Sequence, residues 1–163
     1  MLHEARGATT VRTLEVRRHA ARDPQADRLS PEGRAQAEEL GRELAAAVPD
    51  GYDVIFVSPA QRAAETVAHL LRGLGRPLPR HAVIPGLAGE GTDRSPLAMA
   101  GVLAALLDAV PEGGRGLAIG HTPLIERGVL GLVGAEIEPL AECEGVLLVR
   151  EDDGPVRVEE LRR

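Results

Sequence analysis

Four helices in this sequence open at a proline, and each follows a run of strand length. That rhythm constrains the fold more than any other feature. In "LSPEGRAQAEELGRELAAAV" Ser30 suits an N-cap, Pro31 the first helical position, and Leu40, Leu44, Ala47 and Val48 form an apolar stripe. Pro49 and Gly51 end it. Pro59 opens a helix predicted over 59–72, Ser95-Pro96 one that runs to Val110, and Thr122-Pro123 one over 122–134. Between them lie strand-length runs at 11–18, "YDVIFVS", "HAVI" and "GLAIG". "GVLLVRED" and "VRVEEL" flank Gly154-Pro155 as a C-terminal hairpin. Strands alternating with helices predict a three-layer α/β/α sandwich around a mostly parallel sheet of about six strands. We read one domain over 10–163, with 1–9 a loose N-terminal tail. Gly86 to Arg94 is expected to be a surface loop, with no large lid insertion.

Composition narrows the functions open to such a fold. The formal net charge is -6, which disfavours general binding to nucleic acid or to an anionic membrane. Tyr52 and Phe56 are the only aromatic residues, so bases have no stacking platform. Every basic residue other than histidine is arginine. That removes Schiff-base chemistry and the lysine of a nucleotide-binding P-loop. It leaves guanidinium groups, which suit bidentate contact with phosphate or carboxylate. Cys143 is the sole cysteine, so no disulfide or cysteine zinc site forms within one chain. No apolar run approaches ~18 residues. The expectation is a cytoplasmic protein that uses no metal and no cofactor.

In open α/β sheets, sites lie beyond the carboxyl ends of the strands. The first strand ends in Arg18-His19, the second in Ser58-Pro59 with Arg62 one turn on, and the fourth in Gly120-His121-Thr122-Pro123. Three strand ends therefore deliver two arginines and two histidines to one edge. The helices that start there add N–H groups and positive dipole ends that favour an anion. Arg17 alternates with Arg18 along the strand, faces the other side and is not catalytic.

"RHA", "LSPEGRAQAEELG", "VSPAQRAAETVAHL" and "IGHTPLIERGVLGLVG", in this order, resemble the successive motifs of the histidine phosphatase (phosphoglycerate-mutase-like) superfamily. The resemblance spans about residues 11 to 151 and is strongest to its small bacterial branch, the protein-histidine phosphatases. It implies that His19 is a nucleophile that becomes phosphorylated, and that Arg18, Arg62 and His121 bind the phosphoryl group. Such a group in flight spreads charge over three oxygens, so positioning and charge neutralisation dominate catalysis. Imidazole attacks through an unprotonated nitrogen. The other nitrogen of His19 is therefore expected to donate to a backbone carbonyl.

Three positions depart from the family pattern. Ala20 stands where glycine usually follows the nucleophile. Arg28, the counterpart of a phosphate-binding arginine in close relatives, directly precedes Leu29 without the usual proline. Glu90 lies one residue beyond the position of the family's general acid, which Gly89 occupies. A phosphatase without that acid favours a labile P–N bond. The implied substrate is phosphohistidine in proteins, and the implied partner a histidine phosphotransfer-type domain. One alternative is a phosphatase of small phosphate esters with Glu90 as general acid. A second is a non-catalytic phosphate-binding regulatory module.

Overall fold

The side chains of each strand point alternately to two faces, and the sheet accordingly carries two separate cores. The computed structural model describes residues 9–163; most of the expected tail, residues 1–8, lies outside the described residues. The strands are β1 (Val11–Arg18), β2 (Val54–Val57), β3 (Arg80–Val83), β4 (Arg115–Gly120), β5 (Gly145–Glu151) and β6 (Arg157–Leu161). The helices are α1 (Pro31–Ala47), α2 (Gln61–Leu74), α3 (Pro96–Ala109) and α4 (Leu124–Val133). The sheet runs β3-β2-β4-β1-β5-β6. Its first four strands are parallel, and β5 and β6 add an antiparallel edge. This is the expected three-layer architecture.

Ile55, Val57, Leu117 and Ile119 pack against Leu40 and Leu44 of α1 and Val67 and Leu70 of α2. Leu14, Val16, Phe56 and Ala118 face Leu103 and Leu107 of α3 and Val129 of α4. Burial of this aliphatic surface drives the assembly. Glycines allow α1 and α2 to touch backbone to backbone. A Cβ on Gly41 would stand 2.0 Å from the Leu70 carbonyl oxygen, and one on Gly73 1.9 Å from that of Glu38.

Ser30 and Ser95 cap α1 and α3 as the sequence indicates, accepting from Gly33 N and Ala98 N. Helix α2 differs. It begins at Gln61, two residues after Pro59, and its N-cap Ala60 has no side-chain acceptor. Asp27, far off in sequence, supplies it instead, accepting from the backbone N–H groups of Gln61 (2.9 Å) and Arg62 (3.2 Å). The expected loop after β3 is partly ordered inward. Pro85–Ala88 forms a 3₁₀ turn whose Leu87 is 2% exposed and sits in the α3/α4 core. An apolar side chain one turn beyond a strand end finds a core to enter, so only Gly89 to Arg94 behaves as loop.

The described residues contain no helix long and apolar enough to cross a membrane.

Candidate active site

His19 leaves the carboxyl end of β1 and is 5% exposed. Its Nδ1 lies 2.7 Å from the Ala20 carbonyl oxygen. A carbonyl only accepts, so Nδ1 carries the proton and donates. Nε2 is then the nitrogen with the free lone pair, as the sequence led us to expect. Arg62 Nε, from the first turn of α2, donates to that Nε2 at 3.2 Å. The Ala20 N–H donates to Thr66 Oγ1 (3.0 Å), and Thr66 Oγ1 donates to the Arg62 carbonyl (2.8 Å). One threonine thus ties the loop after His19 to the turn that carries Arg62.

His121 follows β4 and completes the group. Its Nδ1 lies 3.3 Å from Arg62 Nη2, and its Nε2 lies 2.6 Å from Ser58 Oγ at the end of β2. Guanidinium only donates, so Nδ1 accepts and Nε2–H donates to Ser58. The two imidazoles stand edge to face, 5.3 Å apart at 62°. Each turns a lone pair toward Arg62.

Electrostatics keep both rings neutral. Burial lowers the pKa of His19, and the charges of Arg62, Arg18 and Arg22 lower it further, while the bond to Ala20 acts in the opposite sense. Burial and Arg62 push His121 down to about 4. An arriving dianion would reverse the effect of the guanidinium charges and make each imidazole more basic.

Arg18 lies beside this group. Its Nη1 donates to the Leu140 carbonyl (2.8 Å) and sits 3.3 Å from Glu142, while its Nε is buried without a partner. Arg28 is not brought into the group. It is exposed and its Nε pairs with Asp23 Oδ2 at 3.1 Å. Its neighbour Asp27 takes the inner place, 2.8 Å from Arg62 Nη1. Asp27 was not singled out in the sequence. A local signal exists in hindsight only as an uncapped helix start at Ala60. Arg62 has also been drawn away from the helix-surface glutamates that its sequence neighbourhood offers.

Arg17 is buried, with Nε 2.5 Å from Glu15 Oε2 and Nη1 donating to the Cys143 carbonyl. It faces the α1/α2 side as alternation predicts, but within a buried ion cluster rather than solvent. Glu15, wholly buried, also accepts from Arg115 (2.7 Å) and from Tyr52 Oη (2.9 Å).

An open groove of about 610 Å³ runs from Arg62 and His121 past Glu90, Arg94, Thr122 and Arg127. The expected general acid, Glu90, therefore lies in the groove, on its exposed wall. A smaller, apolar-walled recess of about 500 Å³ between α2 and β3 contains none of these groups. Among the described residues, no three His, Cys, Asp or Glu side chains cluster as a metal site.

Fold and site together define an α/β domain with an anion-receiving centre of two neutral imidazoles around one guanidinium, beyond the carboxyl ends of β1, β2 and β4. Residues 5–85 match the family model of the histidine phosphatase superfamily, branch 1. The chain belongs to that superfamily. Solved structures share the fold. SixA from Agrobacterium tumefaciens superposes with a TM-score of 0.70 at 18% identity, over 93% of this chain and 98% of that one. The protein histidine phosphatase SixA complexed with tungstate gives 0.70 at 23% identity, over 92% and 96%. A mutant phosphoserine phosphatase from Entamoeba histolytica in complex with phosphoserine gives 0.70 at 16% identity, over 92% and 96%. No curated protein sequence matches the chain.

Proposed function

We propose that this protein is a phosphatase that works without a metal through a phosphohistidine intermediate at His19, and that its substrate is phosphohistidine in proteins. One observation carries the reading. The Nδ1–H···O bond to Ala20 leaves a buried, neutral His19 with its Nε2 lone pair directed toward the guanidinium of Arg62. A nucleophile and an anion-binding group thus share one point.

The Nε2 lone pair attacks phosphorus, and the bond from phosphorus to the leaving nitrogen of the substrate breaks. That nitrogen keeps the electron pair and takes a proton from solvent. Arg62, His121 and Arg18 neutralise the equatorial oxygens. Water then attacks the phosphoryl group, the N–P bond breaks, and inorganic phosphate and neutral His19 result. Asp27, held to a pKa of about 2 by its hydrogen bonds to α2 and by Arg62 despite some desolvation, is ionised at neutral pH and donates no proton. A leaving imidazole needs no strong acid, which matches an open site where, among the described residues, the exposed Glu90 is the one groove-lining carboxylate. The open groove also admits a side chain presented by a second protein, such as a histidine phosphotransfer-type domain. We place the protein in the small protein-histidine phosphatase branch and in the cytoplasm.

Glu90 supports a second reading. It shares the groove with Arg62 and His121, so a phosphatase of small phosphate esters with Glu90 as acid fits the same scaffold. Acid-quench trapping distinguishes the two. A phosphohistidine peptide should yield an acid-labile, base-stable phosphoenzyme that is absent from His19→Ala, with alkyl phosphates turned over far more slowly. Rapid alkyl ester hydrolysis would favour the second reading. No trapped species and no turnover with either substrate would leave a phosphate-binding module.

A further inference from the structure

The groove beyond Arg62 and His121 carries two arginines that the phosphoryl chemistry does not use. Arg94 and Arg127 both line it, and among the described residues neither guanidinium lies within 4.0 Å of a carboxylate. Glu90 stands on the same wall and is not paired with them. Among the described residues, most other arginines lie within 4.0 Å of a carboxylate.

Their placement is built rather than incidental. Arg94 has a left-handed backbone, φ 61, a conformation that costs a non-glycine residue about 1 kcal/mol or more. Its N–H donates to Thr92 Oγ1 at 3.0 Å, which holds that turn. Its side chain lies across Gly89, where a Cβ would come within 2.6 Å of Nε and 2.8 Å of Cγ. Arg127, on α4, donates from Nη1 to the carbonyl of Arg94 at 3.3 Å. One arginine is thus fastened to the main chain of the other, and both guanidinium groups line one wall without a paired carboxylate. An anion on that wall gains charge-assisted hydrogen bonds.

We infer that Arg94 and Arg127 form a second anion subsite, which takes a carboxylate or phosphate carried by the same substrate whose phosphoryl group sits at His19. The inference rests on the phosphatase reading for the first anion and adds the substrate's second one. That second anion belongs either to an acidic side chain near a phosphohistidine or to a small phosphate ester. Phosphoryl binding at Arg62 and His121 sets one end, and the groove sets the reach of the other.

Calorimetry on the full chain with ω-phosphonocarboxylates of two to five methylenes, each against the matching alkylphosphonate, tests this without any turnover. At one chain length the carboxylate should tighten binding about tenfold, the size expected of two partly exposed charge-assisted contacts. In the Arg94→Gln/Arg127→Gln variant, shown to be folded by its melting curve, that ratio should fall below about twofold. The two single variants should each lose part of it, and they decide the matter if the double variant melts early. No preference at any length in the wild type, or a preference that survives in the variants, overturns the subsite. Turnover of paired substrates then identifies the source of the anion. Phosphohistidine peptides with Asp against Asn beside the histidine report a protein acid, and phosphate esters with and without a carboxylate report a small one. A binding preference without any phosphoenzyme would sink the phosphatase reading and leave the subsite standing; turnover without preference would do the reverse.

Discussion

Asp27 Oδ1 lies 2.8 Å from Arg62 Nη1, and the same carboxylate caps the helix that carries Arg62. The residue that aims the guanidinium thus also fixes the backbone beneath it. Arg62 touches Asp27, His19 and His121 through three different nitrogens, so its orientation is determined before any phosphate arrives.

Replacing Asp27 should therefore affect stability and anion binding together. Loss of the cap in Asp27→Ala costs about 1 kcal/mol, read as a lower midpoint in urea. The ion pair itself is partly exposed and adds little to stability. Freed from Asp27, Arg62 should bind less well, and kcat/KM should drop about tenfold, a change of ~1.4 kcal/mol in transition-state stabilisation. Asp27→Asn keeps an acceptor for the Gln61 N–H and should recover the midpoint more fully than the rate. Equal recovery of both would show that Asp27 acts only as a cap.

Acid should weaken the protein and its activity through the two imidazoles. Both have folded pKa values below the unfolded ~6.5, with His121 at about 4. Between those pH values the unfolded chain binds more protons than the native one. The stability that depends on neutral rings is therefore complete above about pH 6.5 and falls as pH drops toward 4. The melting temperature should follow this slope, and His121→Asn should flatten part of it. On the rate, kcat/KM should stay level through neutral pH and fall on the acid side, where protonation of His19 Nε2 removes the attacking lone pair. An acid limb centred at or above an ordinary histidine pKa would contradict His19 as the proposed buried, neutral nucleophile.

Below the sheet surface, Glu15 is the counter-charge for two arginines. Its side chain is fully buried, as is most of Arg17, and Tyr52 and Arg115 complete the cluster. Glu15→Ala leaves the buried Arg17 charge uncompensated and should cost ~3–5 kcal/mol. Chemical denaturation measures that loss, and a change under about 1 kcal/mol would mean that the cluster contributes packing alone.

Glu90→Gln separates the leaving groups. Phosphohistidine hydrolysis should change by less than about twofold, because imidazole departs without a strong acid. A residual rate on alkyl phosphates, if Glu90 protonates them, should fall by ~10²-fold or more. A large loss on both substrates would assign Glu90 to the phosphohistidine reaction as well.

The legibility of this protein in its sequence differs from residue to residue. The helices opened by Ser-Pro and the alternating strands were readable because capping and side-chain alternation act over a few residues. Ser30 and Ser95 cap the helices they precede, and Leu14 and Glu15 face opposite layers. Arg18, His19, Arg62 and His121 were legible as strand-end residues because position at a strand's carboxyl end is also a local property. Arg28 and Asp27 were not. Adjacent residues in a loop point where the loop's own closure sends them, and this loop closes through the Asp23–Arg28 pair, leaving Asp27 to α2. Arg17 shows the same division. Alternation gave its face, while only the fold supplied Glu15 and the Cys143 carbonyl as partners.

By itself, then, the sequence determined the order of elements, the two-sided core and the set of groups delivered to one sheet edge. Only the tertiary structure decided which nitrogen of each histidine is free, which carboxylate holds Arg62, and which arginines stay unpaired. Those outcomes depend on contacts between residues far apart in the chain, such as Thr66 with Ala20, Ser58 with His121 and Arg127 with Arg94. Local propensity fixes what a segment becomes. Hydrogen-bond partnership across the sheet edge fixes what its side chains can do.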